Sequence, residues 1–407
     1  MDLELGSDTA EFRAALRNWI AAQAPDALAG LTDWNAYVTP GGYGRRELAA
    51  AAEHPAYLEW ESELRAQRLI CPNWPEEFGG RGMDARRIAV LDEEFHRAGV
   101  PRVWRGMGES LVGPAIMAHG TAEQKALFLP RIVSGEDVYL QGYSEPDHGS
   151  DLAGIETRGV VDGDEIVITG HKVWTPESGE ANRMFVLCRT DPDAEKCEGL
   201  SFVLIDLADP GVRYCAVEQM TGVTEYRDYI LDGVRAPLSN VIGGLNNGWR
   251  VVATPRGHER DTPATAAHLG FEREFWELVE ASRKEGNIAD PLVRQQLAWA
   301  YTRVQLIRFT ELRMLNQELE GDALSREALV ARLFASEYHK RLGEIAIGVE
   351  GVHAMLRPDG DGYPISPWQN TFLASRADTI NAGTSEIQRT IIGEQALGLP
   401  REPGPAR

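Results

Sequence analysis

The most informative part of the sequence is Gln141-Gly-Tyr-Ser-Glu-Pro-Asp-His-Gly-Ser-Asp151, together with Gly170-His-Lys-Val-Trp-Thr175, which follows after one hairpin. Hydroxyl groups that can form hydrogen bonds come from Ser144, Ser150 and Thr175. Gly149 lets the backbone approach a phosphate closely because it has no Cβ. Trp174 offers an aromatic face for stacking. These groups favour the docking of a flat, polar cofactor, and we interpret the two segments as a flavin site.

The composition is that of an ordinary globular protein. The chain has 407 residues, of which 43% are hydrophobic and 25% are charged. A chain of this length exceeds one compact core, so two or three domains are expected. The net charge of −21 argues against nucleic acid or an anionic membrane as a partner, because both require a positive face.

The cysteines and the N-terminus predict an intracellular location. Neither a CxxC pair nor zinc-ligand spacing occurs among the cysteines, so we expect reduced thiols and no metal site. The N-terminus, Met1-Asp-Leu-Glu-Leu5, lacks the apolar run of a signal peptide. No stretch of the sequence is apolar enough to span a bilayer. We therefore expect a cytoplasmic protein.

The first part of the chain has a helical pattern. Apolar residues recur at helical spacing from Phe12 to Ile20, and residues 55–70 and 84–98 are also predicted to be helical. Thr121-Ala-Glu-Gln124 has the sequence of a capping box, which begins another helix.

The pattern changes near residue 139. Val160–Ile168 alternates apolar and polar residues around an Asp-Gly pair, which predicts a β-hairpin. Further strands are predicted at Met184–Cys188, Ser201–Leu207, Val212–Val217 and Tyr226–Leu231. Short strands at this spacing are typical of a small barrel or sandwich.

The remainder is predicted to be helical. One helix covers about residues 248–284, and Asp290-Pro291 begins the next. The second helix carries an apolar stripe of Val293, Leu297, Ala300, Val304 and Ile307. Ser325 is expected to cap a third helix, and Ser385-Glu-Ile-Gln388 to form the capping box of the last, with Ile387 and Ile391 facing inward.

This order of elements, with its motifs, resembles the acyl-CoA dehydrogenase family of flavoproteins over nearly the whole chain. The resemblance rests on five segments in the family's order: Trp74–Gly80, Gln141–Asp151, Gly170–Thr175, Ile242–Trp249 and Gly383–Arg389. It implies an α+β fold with an N-terminal helical domain, a central small β-barrel or sandwich domain and a C-terminal four-helix bundle. We place the domains at residues 1–138, 139–243 and 244–407.

The resemblance also implies roles in binding FAD. Gln141, Tyr143 and Ser144 would line the flavin ring, and Gly149 and Ser150 would lie near the ring or the pyrophosphate. Trp174 would cover the flavin edge beside Thr175, and Thr384 and Glu386 would approach from the last helix. Without the resemblance, the favoured interpretation is that the serines are turn formers and that Trp174 is a core aromatic.

The family abstracts an α-proton from an acyl thioester, so it needs a positioned carboxylate base and donors for the thioester carbonyl. Most members carry the base as Glu in a Tyr-Glu-Gly-Thr run, but Ala382 occupies that place here. Other members carry it as Glu-Arg on the helix after the Asn-x-Gly-Trp turn, which corresponds here to Glu259 and Arg260. We predict Glu259 as the base, with Asp378 in reserve, and the backbone N–H of Ala382 as a donor to the carbonyl. Ser150 and Arg260 are expected to contact the substrate.

The sequence departs from the family pattern in places. Pro176 stands where a hydroxyl residue is usual, and Asp147-His148 replace a small pair. The Arg-x-x-Phe-Gly motif, which binds FAD across a subunit interface, is not evident after Gly270, and the Gln-x-x-Gly-Gly motif is eroded near Ile347–Gly351. The missing and eroded motifs suggest a chain that pairs with a related chain to complete its FAD site.

The leading function is therefore FAD-dependent dehydrogenation of an acyl-CoA to the trans-2-enoyl-CoA. The expected partners are acyl-CoA, an electron-transfer flavoprotein or similar acceptor, and other subunits in a homodimer, a homotetramer or a heterotetramer with a related chain. A flavin monooxygenase or oxidase on the same fold is one alternative. A catalytically degenerate subunit of a heteromeric dehydrogenase is another.

Overall fold

The computed structural model describes residues 7–28, 54–176, 181–253, 267–320, 326–356 and 365–401. The chain forms two compact units, which are described separately. Unit 1 comprises Met1–Tyr57, Asp84–Pro101 and Thr262–Arg407, and unit 2 comprises Leu58–Met83 and Arg102–Asp261.

Helices and strands follow the predicted order. The helices are α1 Ser7–Gln23, α2 Pro55–Ala66, α3 Ala85–Ala98, α4 Gly113–His119, α5 Ala122–Ser134, α6 Ala267–Lys284, α7 Pro291–Glu320, α8 Arg326–Glu350, α9 Pro367–Asp378 and α10 Ser385–Ile391. The strands are β1 Tyr139–Gly142, β2 Arg158–Asp162, β3 Glu165–Pro176, β4 Arg183–Arg189, β5 Leu200–Asp206, β6 Val212–Val217, β7 Tyr226–Pro237 and β8 Val241–Ile242. Residues 248–253 are also helical.

In unit 1, α6, α7, α8 and α9 pack around one apolar core. The predicted stripe of α7 supplies Leu297, Ala300, Val304 and Ile307 to this core, and Val293 packs against its edge. The stripe forms because these residues recur every three or four positions and so share one face of the helix. The N-terminal helices α1 and α3 pair in the same unit, where the buried Glu94 accepts hydrogen bonds from Arg13 and Arg17.

In unit 2, eight strands of the described residues pair in the order β6-β7-β3-β2-β4-β5-β8, with β1 parallel to β4. The predicted hairpin is confirmed, since β2 and β3 pair antiparallel around the turn that follows Asp162. β2 and β4 share only the pair Arg158↔Arg189, so the sheet is almost divided there. Side chains from both parts, among them Ile166 and Val203, form one buried core. This arrangement agrees with the small β domain that the strand spacing predicts.

The predicted start of the last helix needs correction. Thr384, not Ser385, is the N-cap, because its hydroxyl accepts a hydrogen bond from the N–H of Ile387. Ser385 instead lies in the first turn of α10, where it is buried and donates a hydrogen bond to Glu337. Because Ser385 faces inward, Gln388, three residues later on the helix, is also buried, whereas Ile387 is 38% exposed. The inward orientation predicted for Ile387 was therefore wrong.

Two parts of the prediction lie outside the described residues: the capping role of Ser325, and the middle of the helix predicted over 248–284. No helix in the described part of the chain has both the length and the apolar composition needed to cross a bilayer.

Candidate active site

The loop after β1 is built on a tight turn. The N–H of Glu145 donates to the carbonyl of His148 at 3.1 Å, and the N–H of His148 donates to the carbonyl of Glu145 at the same distance. Pro146 occupies the second position of this turn, where its fixed φ favours the bend. Gly149 and Ser150 follow, and both are exposed. Apart from Gly149 and its two chain neighbours, no described residue has a heavy atom within 4 Å of the place that a Cβ would take at Gly149. The loop therefore presents open backbone at the position predicted for a phosphate.

A buried ion pair between Lys172 and Glu145 holds this loop against β3. The ammonium of Lys172, on β3, lies 2.8 Å from Oε1 of Glu145 and also donates to the carbonyls of Tyr143 and Leu187. The carboxylate of Glu145 in turn accepts hydrogen bonds from the N–H groups of Glu156 and Thr157, at 2.6 and 2.9 Å. The same ion pair therefore holds both ends of the segment 143–157, since Lys172 binds Tyr143 and Glu145 binds Thr157. Its two charged side chains have almost no solvent exposure.

The charges of this pair stabilise each other. Burial by itself raises the pKa of Glu145, but the charge of Lys172 and the hydrogen bonds from Glu156 and Thr157 hold that pKa below its ordinary value. Burial lowers the pKa of Lys172, an effect that Glu145 opposes. A buried charge without a partner is costly, so the two groups depend on each other.

Trp174 is placed on the surface by a β-bulge. The pairing of β3 with β7 shifts register between Lys172 and Thr175, and Trp174 has a φ of 56°, in the left-handed region. A bulge adds a residue to one strand and redirects a side chain. The indole is 59% exposed, and it forms a T-shaped pair with the ring of Tyr226 at a centroid distance of 6.0 Å. The structure therefore does not support Trp174 as a core aromatic.

The bulge also ties β3 to the loop. The N–H of Val173 donates to the carbonyl of Ser144 at 2.9 Å, and the hydroxyl of Thr175 donates to the carbonyl of Gln141 at 3.1 Å. The side chain of Thr175 is fully buried, so this hydroxyl positions the start of the loop. Its predicted contact with a cofactor stays a prediction. Unit 2 thus brings together Gln141, Ser144, Trp174 and Thr175.

A second turn of unit 2 precedes the segment that carries Glu259. The N–H of Asn246 donates to the hydroxyl of Ser201 at 2.9 Å. A Cβ on Gly248 would lie 2.6 Å from the backbone of Ser201, so this glycine permits close approach to β5. The turn ends in the helical residues 248–253. Glu259 and Arg260 themselves lie outside the described residues.

The remaining predicted site residues lie in the turn between α9 and α10 of unit 1. Ala382 has a φ of 48°, and its carbonyl accepts a hydrogen bond from the side chain of Gln388. Thr384 caps α10, and Glu386 is exposed. Asp378 is only 1% exposed and is bonded to His339, so the structure gives no support to its reserve role as a base that reaches substrate.

Sequence reasoning missed Glu145 and Lys172, the residues that fix the loop. Both lie inside the two quoted segments, but their 27-residue separation gave no signal that they pair. Gly170 is a third omission, because a Cβ there would lie 2.2 Å from the hydroxyl oxygen of Thr157. Thr157 can lie this close to β3 only because residue 170 has no side chain.

Comparison with known families agrees with this site. Family models match three consecutive segments: the N-terminal domain of acyl-CoA dehydrogenase over residues 44–136, its middle domain over 141–232 and its C-terminal domain over 246–397. The chain belongs to the acyl-CoA dehydrogenase family. The resemblance inferred from the sequence and the expected fold class are therefore confirmed, and the protein is an acyl-CoA dehydrogenase.

Similar proteins span almost the full length of this dehydrogenase. Acyl-CoA dehydrogenase IpdE1 of Mycobacterium tuberculosis is 39% identical over 97% of this chain and 99% of its own. The solved structure of the Tcur3481-Tcur3483 steroid acyl-CoA dehydrogenase is 28% identical, with a TM-score of 0.80 over 99% of this chain and 100% of that one. The ChsE4-ChsE5 complex from Mycobacterium tuberculosis is 27% identical, with a TM-score of 0.76 over 99% of this chain and 100% of that one.

The family is flavin-dependent and usually binds FAD. The residues present in unit 2 fit such a group. An exposed indole, an open backbone position at Gly149 and the exposed Ser150 supply the aromatic face and the polar groups that a flavin nucleotide requires.

Proposed function

We propose that this dehydrogenase converts an acyl-CoA thioester to the trans-2-enoyl-CoA, with Glu259 as the base that removes the α-proton. When bound, FAD supplies the acceptor of the β-hydride. The observation that carries the proposal is the loop Gln141–Asp151, which a buried ion pair holds rigidly beside the exposed Trp174. A rigid loop keeps hydrogen-bonding groups oriented without reorganisation during the reaction.

Each predicted site residue receives a role in this proposal. Gln141, Tyr143 and Ser144 line the flavin ring, and Trp174 covers the flavin edge with Thr175 beside it. Gly149 and Ser150 lie against the ring or the pyrophosphate, and Thr384 and Glu386 approach FAD from α10. The backbone N–H of Ala382 donates to the thioester carbonyl, while Ser150 and Arg260 contact the substrate.

The loss of the usual carboxylate at Ala382 supports Glu259 as the base. A base must lie within hydrogen-bond reach of the proton that it removes. Ala382 offers no titratable group, and the neighbouring Asp378 is buried in a bond with His339. Glu259, which follows the turn anchored on β5, occupies the family's other position for this residue.

Anaerobic titration of the FAD-loaded dehydrogenase with a panel of acyl-CoAs tests the proposed reaction. We expect the visible absorbance of oxidised flavin to bleach with at least one thioester, because the β-hydride reduces the flavin. The panel includes straight, branched and ring-bearing acyl groups, since a similar solved structure is described as a steroid acyl-CoA dehydrogenase. A flavin that no thioester bleaches would contradict the proposal. Rapid oxygen consumption after bleaching would instead favour an oxidase.

We also propose that the chain assembles with a related chain that completes its FAD site. The similar ChsE4-ChsE5 and Tcur3481-Tcur3483 structures each contain two differently named chains, which supports this assembly. We expect the chain expressed alone to hold less than one FAD per chain, and co-expression with a related chain to raise that content. Flavin content and native mass would measure both quantities. A homotetramer with full FAD occupancy would contradict the heteromer.

An electron-transfer flavoprotein is the proposed acceptor of the electrons.

A further inference from the structure

A cluster of buried charges lies in unit 1 beneath the turn that carries Ala382. His339, on α8, is 1% exposed, and its Nδ1 lies 2.5 Å from Oδ2 of Asp378, the last residue of α9. On the other side of the ring, Nε2 lies 3.4 Å from Oε1 of Glu274, on α6. One imidazole thus stands between carboxylates from two other helices.

Some buried polar atoms of the cluster have no hydrogen-bond partner among the described residues. Among the described residues, Oδ1 of Asp378, Oε2 of Glu274 and Nε2 of His339 are buried without a hydrogen-bond partner. Buried polar groups are nearly always hydrogen-bonded, and an unsatisfied one costs stability. Apolar residues of similar volume would often stabilise such a site better. The cluster therefore calls for an explanation other than stability.

The same helix α8 holds the turn 379–384 at several points. Asp378, the residue just before the turn, is hydrogen-bonded to His339. Arg332 donates from its guanidinium to the carbonyl of Asn381 at 3.2 Å and also to the side chain of Asn381. Glu337 accepts from the hydroxyl of Ser385 at 2.8 Å, just after the turn. Arg332 and His339 are seven residues apart, so they share one face of α8.

We propose that Glu274, His339 and Asp378 form a buried relay of charges that positions the turn 379–384, so that the N–H of Ala382 is aimed at the substrate carbonyl. This inference rests on the proposed function. His339 acts through Asp378 and the backbone, so it is a positioning residue. The proton on His339 is required because a neutral imidazole has only one N–H donor, whereas two ionised carboxylates each accept one. Ala382 needs such support, since its φ of 48° is unfavourable for a residue with a side chain.

The relevant measurement compares two ligands that differ in the carbonyl. The probes are trans-2-octenoyl-CoA, which has a thioester carbonyl, and S-octyl-CoA, which has none. With the FAD-loaded dehydrogenase, calorimetry gives the ratio of their affinities. We expect His339→Gln to reduce the preference for the enoyl thioester by about tenfold, as the loss of one aligned hydrogen bond implies, with little change for S-octyl-CoA.

His353→Gln is the matched control. His353 pairs with Glu285 at 2.8 Å, but that pair is exposed, so the substitution should leave the affinity ratio unchanged. Asp378→Asn keeps the shape of the side chain and serves as the second variant if His339→Gln does not fold. If wild type binds neither C8 probe, the same pair is built on the acyl group that bleaches the flavin most readily, and a flavin bleached by no acyl-CoA would overturn the proposed function. A wild-type preference for the enoyl thioester that survives in both variants would overturn only the positioning role.

The pH dependence of stability provides a second readout. Burial lowers the pKa of His339, but the charge of Glu274 and the bond to Asp378 outweigh it and raise the pKa from 6.5 to about 10. Burial and the charge of Glu274 raise the pKa of Asp378, while the bond to His339 and the charges of His339 and Arg332 oppose that rise. Tyr338, also on α8, has its pKa raised by burial and by the charge of Glu274. Since the folded pKa is raised, the contribution of His339 to stability is complete below pH 6.5 and is lost as the pH rises through about 10. Denaturant unfolding between pH 6 and pH 10 should therefore show wild type losing its advantage over His339→Gln, and parallel curves would contradict a protonated His339.

Discussion

Replacing Glu259 by glutamine is expected to lower the rate of flavin bleaching by acyl-CoA by about a thousandfold or more. Glutamine keeps the size of the side chain but cannot accept the α-proton. Binding of acyl-CoA should change little, because the amide still fills the space of the carboxylate. Stopped-flow absorbance under anaerobic conditions measures the rate, and calorimetry measures the affinity.

The matched control for this substitution is Glu280→Gln. Glu280 is exposed on α6 and pairs with Arg283, so its loss should leave bleaching at the wild-type rate. Equal bleaching by wild type and Glu259→Gln would show that another group is the base.

The position of Ala382 allows a stronger test. Most family members carry the base at this place, so Glu259→Gln combined with Ala382→Glu should recover part of the lost rate. Alanine already has a side chain at a φ of 48°, so glutamate brings no new backbone strain. Recovery would identify the two family positions as alternatives for one function. A double variant that folds and binds FAD but bleaches no faster than Glu259→Gln would contradict that equivalence.

Replacing Lys172 by methionine is expected to have the largest effect on stability. It leaves the buried carboxylate of Glu145 without its cation and deprives the carbonyls of Tyr143 and Leu187 of a donor. Breaking a buried ion pair by removing one partner costs about 3–5 kcal/mol. The free energy of unfolding, measured by denaturant titration, and the affinity for FAD should both fall, because the segment 143–157 loses the ion pair that holds it.

Two comparisons separate the pair from general effects. Lys196→Met removes a similar pair at the end of the same loop, since the ammonium of Lys196 lies 2.7 Å from Asp151. Both of those side chains are more than half exposed, so the expected loss is about 1 kcal/mol or less. Combining Lys172→Met with Glu145→Gln should cost less than the sum of the single changes, because no unpaired charge remains. Strict additivity would show that the two side chains act independently.

The domain boundaries predicted at residues 138 and 243 remain predictions. The compact units of the chain do not follow a simple division along the sequence, since unit 1 draws on residues from both ends. Local pattern places helices and strands, but it carries no information on which distant helices pack together. The pairing of α3 with α7 is one such contact.

The order of elements, the family and the residue types of the site could be recognised from the sequence. The stripe of α7, the hairpin after Asp162 and the capping box at Thr121 follow from spacing and turn chemistry, which are properties of neighbouring residues. The N-cap at Thr384 was misassigned by one residue, because Ser385 is held inward by Glu337, a residue 48 positions away.

The contacts that hold the site in place could not be predicted from the sequence. Glu145 meets Lys172 and His339 meets Asp378 across 27 and 39 residues, and neither pair has a local signature. The physical reason is that a buried charge is tolerated only where a partner is brought to it by packing. The loop Gln141–Asp151 could be recognised from its own residues, but the ion pair that makes it rigid exists only in the folded chain.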